Sequence, residues 1–222
     1  MRRKKARQQQ REHAISRACT QLAVALLLLS ALLPASARAQ AFCALRDPHT
    51  SIAALYPEAT SHRSIVRSLG PTERERMQAE FGQELRSTEL GRHTVYAVFR
   101  ETTPLGLVHV RSEKARFGMV EIAWALDLDL RIDGLEIQRG HDAAANALLA
   151  GPFAERLDKS SFAEVGAQHR LGADSEWLAD LPAEQLWFAV LLLEAAPRTM
   201  AATRIGWGTD LAGLRALRAE AR

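Results

Sequence analysis

The most regular hydrophobic pattern in this chain lies at its centre, over residues 120–132. Every even-numbered position there is apolar, and every odd-numbered position is Glu, Asp, Arg or Ala. Alternation with a period of two is typical of a β-strand with one buried and one wetter face. The pattern therefore predicts one long strand over 120–132, a type I′ turn at Asp133-Gly134 and a partner strand over 135–139.

Two further β-rich runs precede this segment, at residues 93–100 and 105–111, and a short loop containing Pro104 separates them. Four consecutive strands with short connections are expected to pair as an antiparallel meander, because parallel neighbours need long crossover connections. The pattern argues against the parallel sheet of a nucleotide-binding fold.

Helical signals flank the predicted sheet on both sides. Before it, Asp47 and Pro48 open a short helix that runs to about Tyr56, and a Thr-x-x-Glu capping box opens a second helix over 72–81. After the sheet, short helical segments are expected at 143–149, where Asp142 is the cap, at 152–157 and at 161–165.

The longest predicted helix begins at Pro182. Its segment 186–193 is apolar almost all round, so we expect it to be buried against the sheet, and it is too short to span a membrane. Pro197 is expected to kink or end this helix, and Asp210 to cap a final one. Together these elements predict an α+β fold in which an antiparallel meander sheet packs against a long C-terminal helix and follows short N-terminal helices.

The first 39 residues have the composition of a secretory signal. A start rich in Arg and Lys precedes an uncharged run of mainly Leu and Ala over 21–34, and overlapping A-x-A sites follow. A membrane anchor is the alternative, but the apolar run is shorter than the ~20 residues that a bilayer requires. We expect residues 1–39 to be cleaved as a signal peptide and residues 42–222 to form a single exported, periplasmic domain.

Removing that segment changes the sign of the charge. Eight of the 29 Lys and Arg and one of the 26 Asp and Glu lie within 1–41, so the remainder carries 21 basic and 25 acidic side chains, a net charge of −4. We therefore expect no nucleic-acid partner. Cys43 would be the one cysteine left, and a buried or inert thiol is favoured over a lipid-attachment site because no small residue stands directly before it.

Common catalytic motifs are absent from the sequence. It contains no G-x-S-x-G, no H-E-x-x-H, no glycine-rich phosphate loop and no C-x-x-C. A hydrolase, a cysteine protease and a thiol oxidoreductase are therefore disfavoured, for want of a nucleophile and base at a recognisable spacing.

Some polar residues could still carry chemistry. Glu121, Asp127 and Asp129 would share one face of the long strand, where a solvated face is favoured over a metal or acid-base site. Ser160 and Ser161 could bind a phosphate, although capping of a helix is the favoured role. No metal site is expected of three histidines at separate positions: His93, His109 and His141.

The order of several short segments is more specific. A Tyr-Pro-Glu-Ala-Thr segment at 56–60 ends the first helix, strands follow at 95–99 and 104–108, and the long strand closes on Asp133-Gly134. In this order, over roughly 54–139, the chain resembles the FMN-binding domain family found in covalently flavinylated subunits of membrane redox complexes. The resemblance implies an extracytoplasmic domain that carries FMN for a redox chain.

The same resemblance has implications for the flavin site. The family attaches FMN to the last Thr of a Ser-Gly-Ala-Thr-x-Thr motif before the C-terminal helix, but the matching stretch 178–183 has no Thr, and 199–203 has only a faint likeness. The resemblance therefore implies that flavin is held non-covalently or has been lost. By position, it assigns Arg139, His141 and Asp142 to contact the cofactor.

Two hypotheses follow. The first is an extracytoplasmic FMN-binding-domain-like protein that works with a membrane or periplasmic redox protein. The second is a non-catalytic periplasmic accessory module that binds a protein partner. Neither has a membrane span after cleavage of the signal.

Overall fold

A computed structural model describes residues 47–86, 89–116, 118–140 and 143–221. These residues belong to one compact unit, Ala39–Arg222. The predicted signal over 1–39, Cys43, His141 and Asp142 lie outside the described residues. The strands and helices below are those of the described part of the chain.

The described residues form five strands and six α-helices, and a 3-10 turn at Gly172–Asp174 precedes the last helix. The strands are β1 (Ser61–Leu69), β2 (Gly91–Arg100), β3 (Thr103–Ala115), β4 (Gly118–Asp127) and β5 (Ile132–Arg139). The helices are α1 (His49–Leu55), α2 (Pro71–Phe81), α3 (Ala143–Leu149), α4 (Pro152–Leu157), α5 (Phe162–Leu171) and α6 (Ala183–Glu220).

The strands form one antiparallel sheet in the order β1-β2-β3-β4-β5. The α+β class, the meander and the long C-terminal helix predicted from the sequence are thereby confirmed. Strand β1 was not predicted, because Ile65 and Leu69 are its two buried positions and the rest is mainly Ser, Arg and His. Its backbone pairing with β2, from Ser61↔Phe99 to Leu69↔Gly91, sets its conformation.

Both faces of the sheet are covered. Helices α2 to α6 pack on one face, where Leu107, Ile122 and Trp124 belong to the main core. On the other face, Ile52 and Tyr56 pack over the strands in a smaller cluster. The side chain of Tyr56 fixes this second layer, because its hydroxyl donates to the carbonyl of Leu126 at 3.2 Å.

This second layer corrects the expected pattern of burial in β4. Residues 120–126 are all buried, on both faces of the strand, and Glu121 is only 1% exposed. The predicted wetter face is wrong because α1 and Tyr56 cover the small side chains Ala123 and Ala125. Alternation alone did not reveal that cover, since alanine is compatible with either environment.

The predicted strand over 120–132 is also too long. Strand β4 ends at Asp127, whose carboxylate Oδ1 accepts the backbone N–H groups of Asp129 and Arg131, each at 2.8 Å. These bonds close a turn in which Leu130 has a positive φ of 59°. Leu128 and Leu130 keep the alternation of the sequence because they are buried in the main core, not because they are extended.

The expected turn at Asp133-Gly134 is wrong as well. Both residues belong to β5, and Gly134 has a φ of 127° opposite a register shift between Ala125 and Leu126. The glycine therefore accommodates a bulge within the ladder. An Asp-Gly pair suits a hairpin turn and a glycine bulge equally well, and the carboxylate of Asp127 placed the turn earlier in the chain.

Several helix boundaries differ from their predictions. Helix α2 begins at Pro71 with Gly70 as its N-cap, and the carboxylate of Glu73 accepts the N–H of Gly70 at 2.8 Å. The predicted capping box of Thr72 and Glu75 starts two residues after this N-cap, so it does not cap the helix. At the other end, the helix stops at Phe81 as predicted, and Gly82 follows in a left-handed conformation with a φ of 64°.

Helix α6 is longer than expected, because it continues through Pro197. Burial of this segment against the sheet outweighs the local cost of a proline. The helix is distorted instead at Trp207, whose indole Nε1 donates to the carbonyl of Ile65 at 2.8 Å. Asp210 lies inside the helix and pairs with Arg67, so its predicted capping role is wrong.

Among the described residues, no helix combines the length and the apolar character that crossing a bilayer requires.

Candidate functional site

A groove opens where α2, the start of α5, the 127–131 turn and α6 meet. Its volume is about 720 Å³, which is within the range of small-molecule pockets. Residues of α6 one or two turns apart line one wall, because positions spaced by three and four residues share a helix face: Met200, Arg204, Gly208, Leu211 and Arg215. We call this cavity the groove.

The wall opposite α6 is aromatic. Phe81 ends α2 and Phe162 begins α5, and their ring centroids lie 4.7 Å apart in an edge-to-face arrangement. The guanidinium carbon of Arg204 lies 5.4 Å from the centroid of the Phe81 ring. Such a contact is favourable because the face of an aromatic ring attracts a cation.

The charges around the groove are unevenly paired. Arg76 lies 3.7 Å from Glu80, and Arg215 lies 3.5 Å from Asp129. Arg204 is exposed and makes no ion pair with any residue that the structure describes. The groove therefore combines apolar and aromatic surface with one uncompensated positive charge.

Gly208 leaves the middle of the groove open. A Cβ atom added there would meet no atom within 4 Å. Two residues earlier, a Cβ on Gly206 would lie 2.8 Å from Leu69 Cδ2, because α6 approaches β1 closely at that point. A larger residue at position 208 would therefore fill the groove without disturbing the core.

A second polar region lies on the sheet-facing side of α6. Glu89 accepts hydrogen bonds from the guanidinium groups of Arg111 on β3 and Arg198 on α6, and from the backbone N–H of Arg86 at 2.6 Å. We call Glu89, Arg111 and Arg198 the ionic cluster. Burial alone would raise the pKa of Glu89, but the two guanidiniums and the Arg86 N–H lower it to about 2.

Two buried histidines adjoin the ionic cluster. The hydroxyl of Thr203 donates its one proton to the carbonyl of Thr199 at 2.7 Å, so His109 Nδ1, 2.8 Å from the same oxygen, must be protonated. Burial and nearby Arg111 hold the pKa of His109 well below its usual range. The same two causes lower the pKa of His93, whose ring centroid is 6.4 Å from that of His109.

These buried residues do not form a metal site of three or more ligands within the described part of the chain. The carboxylates that were predicted to share a solvated strand face are also separated. Glu121 is buried, Asp127 caps the turn, and Asp129 is exposed beside Arg215. That common solvated face is therefore wrong, because the strand ends at Asp127.

The capping role favoured for the serines is borne out at Ser161. It is the N-cap of α5, and its backbone N–H donates to the Glu164 carboxylate at 2.7 Å. Ser160 is buried, and its hydroxyl donates to the carbonyl of Arg156.

The threonines with a faint likeness to a flavinylation motif are inaccessible. Thr199 and Thr203 have no exposed surface, and both hydroxyls donate to backbone carbonyls one turn earlier in α6. Neither hydroxyl is placed to carry a covalent cofactor.

Of the residues assigned by position to a flavin, Arg139 is described by the structure and does not lie at the groove. Arg139 is exposed at the end of β5, opposite Glu121 in the register of β4. The groove adjoins the other end of β5, so the strand itself, at about 3.3 Å per residue, places Arg139 roughly 20 Å away. His141 and Asp142 lie outside the described residues, and their contact with a cofactor stays a prediction.

Sequence reasoning singled out Asp129 and Ser161, which line the groove, but it did not find the aromatic residues and the arginine that characterise it. Phe81, Phe162 and Arg204 come from three helices that are distant in the chain, and each has an ordinary role as a helix end or a helix surface position. The one available signal was an arginine four residues after Met200 on a mostly apolar helix. Its significance depends on which elements pack against that face.

No protein-family model, curated protein or solved structure matches this chain. The likeness to the FMN-binding domain family stays a prediction from the order of its sequence segments.

Proposed function

We propose that this protein is an exported flavin-binding module, which holds FMN non-covalently in the groove and works beside a membrane or periplasmic redox protein. The observation that carries the proposal is Arg204, an exposed guanidinium without an ion partner among the described residues, next to the Phe81–Phe162 pair. When bound, the flavin would supply the electron-transfer chemistry that protein side chains lack.

The residues of the groove suit FMN in kind. Phe81 and Phe162 offer aromatic surface to a planar ring, and Met200 and Leu211 add buried apolar surface beside them. Arg204 can donate hydrogen bonds to the polar edge of the ring. Arg215, at the turn end of the groove, is placed to pair with a phosphate.

The burial of the two threonines in α6 supports non-covalent binding. Thr199 and Thr203 face the sheet and are hydrogen-bonded, whereas Met200 and Arg204 face the groove. The proposal therefore requires that denaturation release the flavin completely.

The test is a titration of the purified chain with FMN, followed by flavin fluorescence anisotropy. We expect Gly208→Leu to abolish binding because its side chain fills the groove, and Arg204→Gln to weaken binding about tenfold through loss of a charged donor. Gly213→Leu is the matched control, since Gly213 is an exposed glycine of the same helix, outside the groove, with open space around its Cβ.

Equal FMN affinity of the Gly208→Leu and Gly213→Leu proteins would overturn the groove as the binding site. A wild-type chain that ignores FMN would overturn the proposed function and leave the accessory module that binds a protein partner. Thermal unfolding of each variant separates loss of binding from loss of fold.

A further inference from the structure

A second cavity of about 350 Å³ adjoins the groove at the 127–131 turn. The two cavities share two lining residues, Asp129 and Arg215, whose side chains form the ridge between them. Leu105, Leu128 and Ala219 give the second cavity apolar surface. An extended ligand in the groove would therefore cross this ridge to reach the second cavity.

Two guanidiniums lie at this ridge, that of Arg215 on it and that of Arg218 beside it in the second cavity. Arg215 and Arg218 are three residues apart on α6, so their Cβ atoms are neighbours on the helix surface, about 5–6 Å apart. Both line the second cavity. A pair of arginines at this spacing suits an anion with several oxygens, because each guanidinium presents its donors in a fixed fork.

Acidic groups also line this cavity, and their existing partners decide whether an anion can enter. Asp127 is bound to the backbone of its own turn, and Asp133 pairs with Lys159. Asp129 pairs with Arg215 at 3.5 Å, while Arg218 makes no ion pair with the described residues. The three carboxylates and the three basic groups that line the cavity give it no net charge. An anion that binds both arginines must therefore displace the carboxylate that is paired with Arg215.

Asp129 is the carboxylate that can leave. Its side chain is 79% exposed and that of Arg215 is 48% exposed, so their ion pair is weak. A phosphate oxygen can replace Asp129 on Arg215 while Asp129 remains in water. Arg215 would keep its position, because its Nε donates to the carbonyl of Leu128 at 2.7 Å.

We infer that Arg215 and Arg218 form a diphosphate subsite, and that the preferred ligand is a dinucleotide. One planar group lies in the groove, the diphosphate lies on the ridge, and the second base lies against the apolar surface of the second cavity. This inference rests on the proposed function for the identity of the first planar group, but the subsite on the ridge is independent of it.

The test compares riboflavin, FMN, FAD and ADP as probes of the full chain. We expect affinity to rise from riboflavin to FMN to FAD. Arg218→Gln should weaken FAD and ADP about tenfold and leave FMN within about twofold, because FMN lacks the second phosphate. Arg170→Gln, an exposed arginine outside both cavities, is the matched control.

Asp129→Asn should tighten binding of both FAD and ADP by up to about fivefold, since it removes the carboxylate that the diphosphate must displace. Gly208→Leu should abolish FAD binding through the groove and leave ADP binding unchanged. Chemical shifts or thermal unfolding would confirm that each variant folds.

The outcomes separate this inference from the proposed function. FMN binding with no gain for FAD, or equal loss of FMN and FAD in Arg218→Gln, would overturn the diphosphate subsite and leave the flavin groove intact. ADP binding that depends on Arg218, in a chain that ignores FMN, would support the subsite and overturn the flavin.

Discussion

Helix α6 carries arginines in two contrasting environments only six residues apart. Arg198 is buried against the sheet, where it shares Glu89 with Arg111. Arg204 is exposed in the groove and has an aromatic neighbour but no carboxylate partner among the described residues. The same residue type therefore completes a closed network in one place and leaves a free donor group in the other.

The difference follows from solvation. A charge removed from water requires a partner, because its desolvation costs several kcal/mol. A guanidinium at the surface stays hydrated and needs none, so it remains available to a ligand. This contrast predicts that the ionic cluster determines stability and that the groove determines binding.

The largest effect is expected in the ionic cluster. Glu89→Gln leaves Arg198 buried without a counter-charge and leaves Arg111 with the more distant Glu113, at 3.4 Å, so we expect the free energy of unfolding to fall by about 3–5 kcal/mol. Glu194→Gln is the control, because Glu194 pairs with Arg86 at the surface and should cost less than about 1 kcal/mol. Urea denaturation measures both.

Lowering the pH should have the next largest effect, because it protonates the buried histidines and Glu89. His93 and His109 have pKa values below 6.5 in the folded chain, so the unfolded chain binds more protons as the pH falls below 6.5. Stability should therefore decrease on acidification, by at most about 2–3 kcal/mol per pH unit when both histidines contribute. The carboxyl group of Glu89 adds to this loss of stability at lower pH, between its ordinary pKa of 4.5 and its pKa of about 2 in the folded chain.

Urea denaturation at a series of pH values measures this slope. A free energy of unfolding that stays constant between pH 6.5 and 5 would contradict the burial of the two neutral histidines.

A smaller loss is expected at the edge of the buried region. Thr203→Val removes the acceptor of His109 Nδ1 and leaves a buried donor unpaired, at a cost of about 1–3 kcal/mol. Thr209→Val, at an exposed position of the same helix, should change stability by less than about 0.5 kcal/mol. Equal melting temperatures for the two variants would show that the His109–Thr203 bond is unimportant.

The groove should respond in the opposite direction. Gly208→Ala replaces a helical glycine whose Cβ position is open, and we expect it to raise the free energy of unfolding by about 0.5–1 kcal/mol. The distorted backbone at Trp207 lies next to it, so Gly213→Ala, in the regular part of the helix, is the reference. A loss of stability at position 208 alone would show that the distortion requires the glycine.

The smallest change in stability is expected for Arg204, and it gives the clearest test of the contrast with the buried ionic cluster. Arg204→Gln should change the free energy of unfolding by less than about 0.5 kcal/mol, because Arg204 is exposed and has no ion partner within the described chain. Thermal unfolding measures it. A loss comparable with that of Glu89→Gln would mean that Arg204 is structural and is not available to a ligand.

Much of the fold could be predicted from local patterns. Periodicity identified β2, β3, β4 and the long helix, because those segments bury apolar side chains at regular intervals. It failed at β1, where backbone pairing with β2 compensates for a polar sequence. It failed again at the end of β4, where one carboxylate, Asp127, outweighs a continuing alternation.

The candidate site could not be predicted in the same way. Arg204 is unremarkable in sequence, and it becomes a candidate because α2 and α5 bring Phe81 and Phe162 to its side. The resemblance to the FMN-binding domain family assigned Arg139 to the cofactor instead, and Arg139 lies at the end of β5 that is far from the groove. The local sequence of a helix does not indicate which other helix ends it will contact in the folded protein.

The sequence by itself determined the α+β class, the meander and the apolar character of α6, because hydrophobic spacing acts over a few residues and limits what each segment can bury. The tertiary structure alone decided which charges are buried and which are free. Solvation of a side chain depends on every element that packs around it, so Arg198 and Arg204 acquire opposite roles only once the helices have docked on the sheet.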